Sequence, residues 1–168
     1  MDADLLYTIA EIAVAFAGFS GIAVVLRRSA TGHLPPHARR TLWYLVIDCL
    51  AVLFLAFLPA VLQQYGWEAQ PLWTLSNAIL GLSHLVLLSP AVWWFSRNFA
   101  QVRAEWQPVI SPLQSSLIGW SALIGLVQLL AALGVGVSAG PGLYTVSLLA
   151  LLFFASVDFV FLVAGEDA

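Results

Sequence analysis

Five long runs of apolar residues alternate with short polar stretches along this chain of 168 residues. About 20 helical residues cross a hydrocarbon core roughly 30 Å thick, and each run reaches this length. Backbone groups in lipid must hydrogen-bond within their own segment, so the runs are predicted to be helices. We expect an all-α membrane protein with five spans: Leu5 to Leu26, Thr41 to Leu62, Leu72 to Phe95, Leu113 to Val137 and Gly142 to Ala164.

Composition supports a membrane protein over a soluble one. Hydrophobic residues make up 61% of the chain and charged residues 9%, and the mean hydropathy is +0.94. Soluble domains carry about 25% charged residues. Because the apolar runs consume almost all of the sequence, we predict a single transmembrane domain over residues 1–168, with its function in the bundle or its short loops.

The first apolar run differs from a secretory signal at both flanks. Asp2 and Asp4 stand where a signal has basic residues, and Arg27 and Arg28 follow the run in place of a small-residue cleavage site. We therefore expect the first run to stay in the membrane.

The orientation follows from the arginines, since the chain contains no lysine. All six lie in the connections after the first and third spans: Arg27, Arg28, Arg39, Arg40, Arg97 and Arg103. Basic residues favour the cytoplasmic side, which predicts an N-terminus outside and a C-terminus inside. An arginine-only chain of this type is typical of a bacterial inner (plasma) membrane protein.

Two connections have a predicted local structure. Between Ser96 and Ile110, apolar residues recur at helical spacing among charged ones, which predicts a short amphipathic helix on the cytoplasmic face. An irregular loop is the alternative. The Gly- and Pro-rich residues 138–142 predict a tight turn, which makes the fourth and fifth helices antiparallel neighbours.

Small residues are concentrated in the first span. Ala13, Ala17 and Gly21 are spaced four apart, with Gly18 beside them. In lipid, helices gain packing contacts by close backbone approach through small residues. We expect this face to pack against another helix, in a second copy of the chain or within the same one.

Six polar residues interrupt the apolar runs: Glu11, Asp48, Asn77, His84, Gln128 and Asp158. A charge at the centre of a span costs about 2.5–3.5 kcal/mol on insertion scales, so such residues usually face a bundle interior or water. Asp48 and Asp158 lie about 9–10 Å from the inner ends of their helices, at about 1.5 Å per residue, and are expected to meet. The six are predicted to line a polar path.

Each of these residues also has a structural interpretation. Glu11 can extend to the outer headgroups, and an arginine reaching inward can clamp the two aspartates. Without an arginine, two close carboxyl groups share a proton and titrate as a pair, which suits proton relay. His84 can be an interhelical hydrogen-bonding group, while Asn77 and Gln128 can join helices.

The sequence argues against several other functions. Basic residues are too few for nucleic-acid binding, and the common hydrolase and nucleotide-binding motifs are absent. Cys49 is the only cysteine, and His33 and His37 lack a third ligand nearby, so we expect neither metal nor cofactor.

The favoured function is that of a homo-oligomeric ion channel or proton-linked transporter for a small cation or proton, working in the lipid bilayer. A structural or accessory subunit of a membrane complex is the alternative. A third hypothesis is an intramembrane enzyme that modifies lipid, with Asp48 and Asp158 as an acid–base pair.

Overall fold

The secondary structure is helical, as predicted. A computed structural model describes residues 3–31, 36–105 and 110–164. Five α-helices and their connecting turns account for these described residues. The helices are α1 (Ala3–Thr31), α2 (Pro36–Gln64), α3 (Ala69–Glu105), α4 (Ile110–Ala132) and α5 (Pro141–Ala164).

Four of the helices are long and apolar enough to cross a membrane. Their apolar stretches are Asp4–Leu26, Ala38–Gln64, Ala69–Ser89 and Pro141–Val163. In α4 the described apolar stretch, Ser116–Ala132, is shorter. Length and composition thus support an integral membrane protein, whereas the fifth span and the orientation stay predictions.

The distribution of side chains also suits a lipid environment. Large apolar residues point outward, among them Phe54 at 71% exposure and Val146 at 66%. Fully buried positions include His84, Asn77 and Gln128. Because lipid is itself apolar, polar side chains in such a protein are placed inside and apolar ones outside.

Helix α3 is longer than the sequence predicted. It runs for 37 residues, which corresponds to about 55 Å. The separate amphipathic helix predicted from Ser96 to Ile110 is therefore wrong: residues up to Glu105 continue α3 without a break, and residues 106–109 lie outside the described part. Near residue 96, the Arg97 guanidinium lies 4.5 Å from the centre of the Trp93 ring.

Helix α4 ends at Ala132, five residues before the predicted end of the fourth span at Val137. Gly134 has a φ of 74°, which the next turn of an α-helix cannot accept. The Gly134 N–H bonds to the Ala131 carbonyl, and the Val135 N–H bonds to the Leu130 carbonyl at 2.8 Å. This Schellman arrangement satisfies the last carbonyls of α4 and ends the helix.

The chain divides into two compact units. Unit 1 consists of residues 1–65 and 148–168, so it holds α1, α2 and most of α5. Unit 2 consists of residues 66–147, so it holds α3, α4 and the first two turns of α5.

Unit 1 is built on α1 and α2, which pack against each other. The Tyr7 and Phe57 rings are 5.5 Å apart, which joins the start of α1 to the later part of α2 and makes the two helices antiparallel. Phe16 packs on Phe159 of α5 with ring centres 5.7 Å apart. Ring contacts of this kind add about 0.5–1.5 kcal/mol to the apolar packing.

The small residues of α1 lie in different surroundings. Ala13 is fully buried and Ala17 is half-buried. Gly18 and Gly21 are exposed, and a Cβ added at either position would meet no atom within 4 Å. Ala13 and Ala17 therefore pack within the chain, while Gly18 and Gly21 leave an open surface.

Candidate functional site

The first candidate site is a pair of carboxyl groups in unit 1, formed by Asp48 of α2 and Asp158 of α5. Both side chains are half-buried. The charge on Asp158 acts on Asp48 and also on Cys49 and Tyr44. The structure thus brings Asp48 and Asp158 into one electrostatic environment.

A polar stripe connects the carboxyl pair to the start of α2. Arg40, Tyr44 and Asp48 are spaced four residues apart and share one face of the helix. The Tyr44 hydroxyl lies within the electrostatic influence of both Arg40 and Asp158. Tyr44 is half-buried and Arg40 is exposed, so the stripe leads from the pair towards the surface.

Glu11 stands apart from this stripe. Its side chain is exposed on α1, a different helix from the two that hold the carboxyl pair. An exposed carboxylate on a membrane-facing helix can extend to the headgroup region.

The second candidate site surrounds a close crossing of α3 and α4 in unit 2. A Cβ added at Gly81 would lie 2.8 Å from the Gln128 Cβ and 2.9 Å from the Gly125 carbonyl oxygen. A Cβ added at Gly125 would lie 3.0 Å from the Gly81 carbonyl oxygen and 3.1 Å from the His84 Cβ. Only glycine allows backbones to approach so closely, so we call this contact the glycine crossing.

Polar side chains flank the glycine crossing on both helices. On α3, Asn77 and His84 lie one turn before and after Gly81; on α4, Ser121 and Gln128 lie similarly around Gly125. The helices pack side by side. Because they run in opposite directions, His84 is brought to Ser121 on one side of the crossing, and Gln128 lies near Gly81 on the other.

His84 is fully buried and bonds through both ring nitrogens. Its Nε2 lies 3.3 Å from the Ser147 carbonyl oxygen, and its Nδ1 lies 3.0 Å from the Ser121 hydroxyl. A carbonyl oxygen only accepts, so Nε2 carries the proton. In the neutral ring, Nδ1 then accepts from the Ser121 hydroxyl. His84 thereby joins α3, α4 and α5 within unit 2.

The two amides bond to backbone carbonyls in the first turn of α5 and just before it. The Asn77 Nδ2 group donates to the Trp73 carbonyl at 2.7 Å and to the Gly140 carbonyl at 3.4 Å. The Gln128 Nε2 group donates to the Leu143 carbonyl at 3.3 Å. Since all three partners are carbonyl oxygens, the nitrogen and oxygen of each amide are assigned without ambiguity.

Three buried oxygens in unit 2 have no hydrogen-bond partner among the described residues. They are Asn77 Oδ1, Gln128 Oε1 and Ser76 Oγ. Leaving a buried acceptor unsatisfied costs about 1–3 kcal/mol. Such groups usually mark an ordered water, an ion or a functional position.

The structure therefore sorts the sequence-predicted residues into two groups. Asp48 and Asp158 lie together in unit 1, where Glu11 is exposed on α1; Asn77, His84 and Gln128 surround the glycine crossing in unit 2. Their role in a conduction path stays a prediction.

Sequence reasoning missed Tyr44 beside the carboxyl pair, and Ser121 and Ser147, which bond to His84. One sequence pattern could have indicated the close contact of α3 and α4. Both helices contain a glycine with a polar residue about one helical turn before it and another about one turn after it. Two such faces in consecutive helices indicate a close, hydrogen-bonded crossing.

Metal ligands of the usual kind are not clustered in the described residues: no three His, Cys, Asp or Glu side chains lie close enough together to hold a metal ion. Of the two histidines considered in the sequence, His33 lies outside the described part, and no side-chain placement is described for His37.

Comparison of the chain with models of protein families, with curated proteins and with solved structures finds no match.

Proposed function

We propose that this protein carries protons across a membrane, as a proton channel or a proton-linked transporter of a small cation. The observation that supports the proposal most strongly is the Asp48–Asp158 pair, which places two carboxyl groups within the apolar stretches of α2 and α5. Isolated ionisable residues are costly in a membrane and are commonly associated with proton relay.

The pair and the polar stripe provide a relay for the proton. A proton shared by the two carboxyl groups can pass to the Tyr44 hydroxyl, which both accepts and donates. From there it reaches the exposed end of the stripe near Arg40. The guanidinium keeps its own proton, so its role is to orient the phenol and not to carry the proton itself.

The proposed orientation places this end of the stripe in the cytoplasm. The six arginines lie towards the end of α1, the start of α2 and the end of α3, and the positive-inside rule assigns these helix ends to the cytoplasmic side of a bacterial inner membrane. In this orientation Glu11 lies near the outer surface, where its carboxylate attracts cations to the outer end of the path.

A homo-oligomer is part of the proposal. Gly18 and Gly21 are exposed on α1 with open space above them. Exposed small residues on a membrane helix allow a second helix to approach closely, and closed cyclic symmetry is the usual arrangement of identical subunits.

Proton flux into liposomes that contain the purified protein tests the relay. Under an imposed potassium diffusion potential, a trapped pH dye should report protein-dependent acidification. Asp48→Asn and Asp158→Asn should each lower the rate on the order of tenfold or more, because an amide cannot carry the proton onward. Glu68→Gln, which removes an exposed carboxylate in the α2–α3 connection, is the matched control and should leave the rate unchanged.

The flux measurement also has a clear negative result. If folded protein with both aspartates conducts no more than protein-free liposomes under any gradient, or if both asparagine variants conduct like the native protein, the relay is refuted.

An accessory subunit is the second candidate, favoured by the same open surface at Gly18 and Gly21. In that case the surface binds a helix of a different protein, and the carboxyl pair fixes helix packing. A stoichiometric partner that is lost in Gly21→Leu, together with absence of proton flux, would select this function.

A further inference from the structure

One face of α3 leads from the apolar part of the helix to an arginine that contacts a tryptophan. Leu82 and Val86 are each 56% exposed, and Trp93 is 58% exposed. Arg97 is exposed as well. These four residues follow one another at intervals of four or seven, so they lie on the same side of the helix. The face is therefore apolar over its first part and carries the Arg97 charge at its far end.

The depth of Trp93 matches the headgroup region of a bilayer. The apolar stretch of α3 ends at Ser89, and its 21 residues span about 31 Å, close to the thickness of a hydrocarbon core. Trp93 follows about 6 Å beyond that end, at about 1.5 Å per residue. The headgroups occupy roughly 5–8 Å on each side of the core. The tryptophan thus lies at the level of the lipid headgroups, where tryptophan is favoured.

The contact with Trp93 also holds the Arg97 guanidinium near the headgroup level. The Arg97 Cζ atom lies 4.5 Å from the centre of the Trp93 ring, which is one helical turn nearer to the apolar stretch. Guanidinium groups stack on aromatic rings by their flat face, which leaves the N–H groups at the edge free to donate. The neighbouring Val92 and Ser96 are uncharged, and the Ser96 hydroxyl donates to the Trp93 carbonyl.

We propose that Trp93 and Arg97 form a binding site for an anionic phospholipid such as phosphatidylglycerol. The edge of the guanidinium donates hydrogen bonds to the lipid phosphate, a group that arginine can bind with two parallel bonds. The acyl chains lie along the exposed side chains of Leu82 and Val86. The site uses no residue of the proposed proton relay, because it belongs to unit 2 and the carboxyl pair to unit 1.

The charge at the site favours an anionic lipid over a zwitterionic one. A phosphodiester with an uncharged alcohol carries one negative charge, which the single guanidinium balances. The ammonium group of phosphatidylcholine would lie close to the same guanidinium and be repelled by it. Val92 and Ser96 offer that ammonium no counterion.

Native mass spectrometry of the purified full-length chain in detergent tests the site, because it counts the lipids bound to each protein molecule. Dioleoyl phosphatidylglycerol and dioleoyl phosphatidylcholine are titrated separately, so only the headgroup differs. The native protein should bind its first phosphatidylglycerol molecule about fivefold more tightly. Glycerophosphoglycerol carries the same phosphodiester without acyl chains, and an excess of it should not displace the lipid.

Arg97→Gln and Trp93→Leu test the two parts of the site. Arg97→Gln removes the charge and should lower the affinity for phosphatidylglycerol about fivefold, with phosphatidylcholine binding unchanged. Trp93→Leu keeps an apolar side chain but removes the ring that holds the guanidinium, so it should lower the same affinity although the arginine is present. Because the two residues act together, the double variant should lose little more than Arg97→Gln alone.

Two exposed residues elsewhere provide matched controls. Arg39→Gln removes an exposed arginine near the start of α2, and Trp120→Leu removes a tryptophan of α4 that is 60% exposed. Both variants should bind phosphatidylglycerol like the native protein. If Arg39→Gln lowers the affinity as much as Arg97→Gln does, the overall charge attracts the lipid and the site at α3 is refuted.

Three further results would overturn the proposal. Equal affinity of the native protein for the two lipids would show that the headgroup is not recognised. Native-like phosphatidylglycerol binding in both Arg97→Gln and Trp93→Leu, or strictly additive losses in the double variant, would show that the pair does not form the site. Displacement of the lipid by glycerophosphoglycerol would indicate a site for a free phosphodiester, in which the apolar face takes no part.

Discussion

Gly81→Ala is the substitution that tests the glycine crossing most directly. The new methyl group would lie 2.8 Å from the Gln128 Cβ and 2.9 Å from the Gly125 carbonyl oxygen. Neither atom is the far end of a flexible side chain. A relaxed contact between carbon atoms is about 3.5 Å, so α3 and α4 must separate by about 0.6–0.7 Å to admit the methyl group.

Overpacking of this kind costs about 1–3 kcal/mol. Separation of the helices also lengthens the 3.0 Å contact between His84 and Ser121, which adds to the cost. Part of this loss of stability is offset, because a helix favours alanine over glycine by about 1 kcal/mol. The net change is therefore expected to be a loss of about 1–2 kcal/mol in the free energy of unfolding.

Gly119→Ala is the matched control for this substitution. Gly119 lies in α4, and a Cβ there would meet no atom within 4 Å. The Gly119→Ala variant should gain the same stability from the helical preference of alanine, without a steric clash. The difference in unfolding free energy between the two variants then isolates the packing cost, about 2–3 kcal/mol, or about 4–12 °C in the unfolding midpoint.

Reversible unfolding of the purified variants in mixed micelles, followed by tryptophan fluorescence, measures this difference. Equal stability of Gly81→Ala and Gly119→Ala would refute the close approach of the two helices, and with it the placement of the polar residues around the crossing.

Two further predictions concern the hydrogen bonds and the orientation. A double-mutant cycle with His84→Leu and Ser121→Ala should give a coupling energy of about 0.6–1.7 kcal/mol, as for other hydrogen bonds within membranes; strictly additive losses would mean that the two side chains do not interact. In a Cys49→Ser background, Glu68→Cys should react with a membrane-impermeant maleimide added outside intact cells, and labelling only after lysis would reverse the proposed orientation.

The helices were largely predictable because hydropathy reports long apolar segments directly. The end of α4 was not predictable from hydropathy, because residues Leu133 to Val137 are as apolar as the helix before them. What ends the helix is the left-handed backbone of Gly134, a conformational property that hydropathy does not measure. The start of α5 was nearly correct, because Pro141 suits the first position of a helix.

The sequence identified most residues of the candidate sites, but it indicated only partly which of them lie next to one another. Asp48 and Asp158 were expected to lie close together, because the distance of each residue from the inner end of its helix can be counted along the sequence. Most of the partners of His84 and Gln128 were not indicated, because two of them are backbone carbonyls of α5, which any residue type could supply. Close packing was expected at the small residues of α1, where Ala13 is fully buried, but it was not predicted at Gly81 and Gly125 between α3 and α4.

The pairing of α1 with α2, and of α3 with α4, bears on how the chain is made. Each pair joins helices that follow one another in sequence, so a hairpin can form as soon as its second helix leaves the ribosome. The buried amides of unit 2 have backbone acceptors at Gly140, just before α5, and at Leu143 in its first turn, which are synthesised later. The amides of Asn77 and Gln128 must therefore wait for the last helix, which makes the arrival of α5 the step that completes the assembly of unit 2.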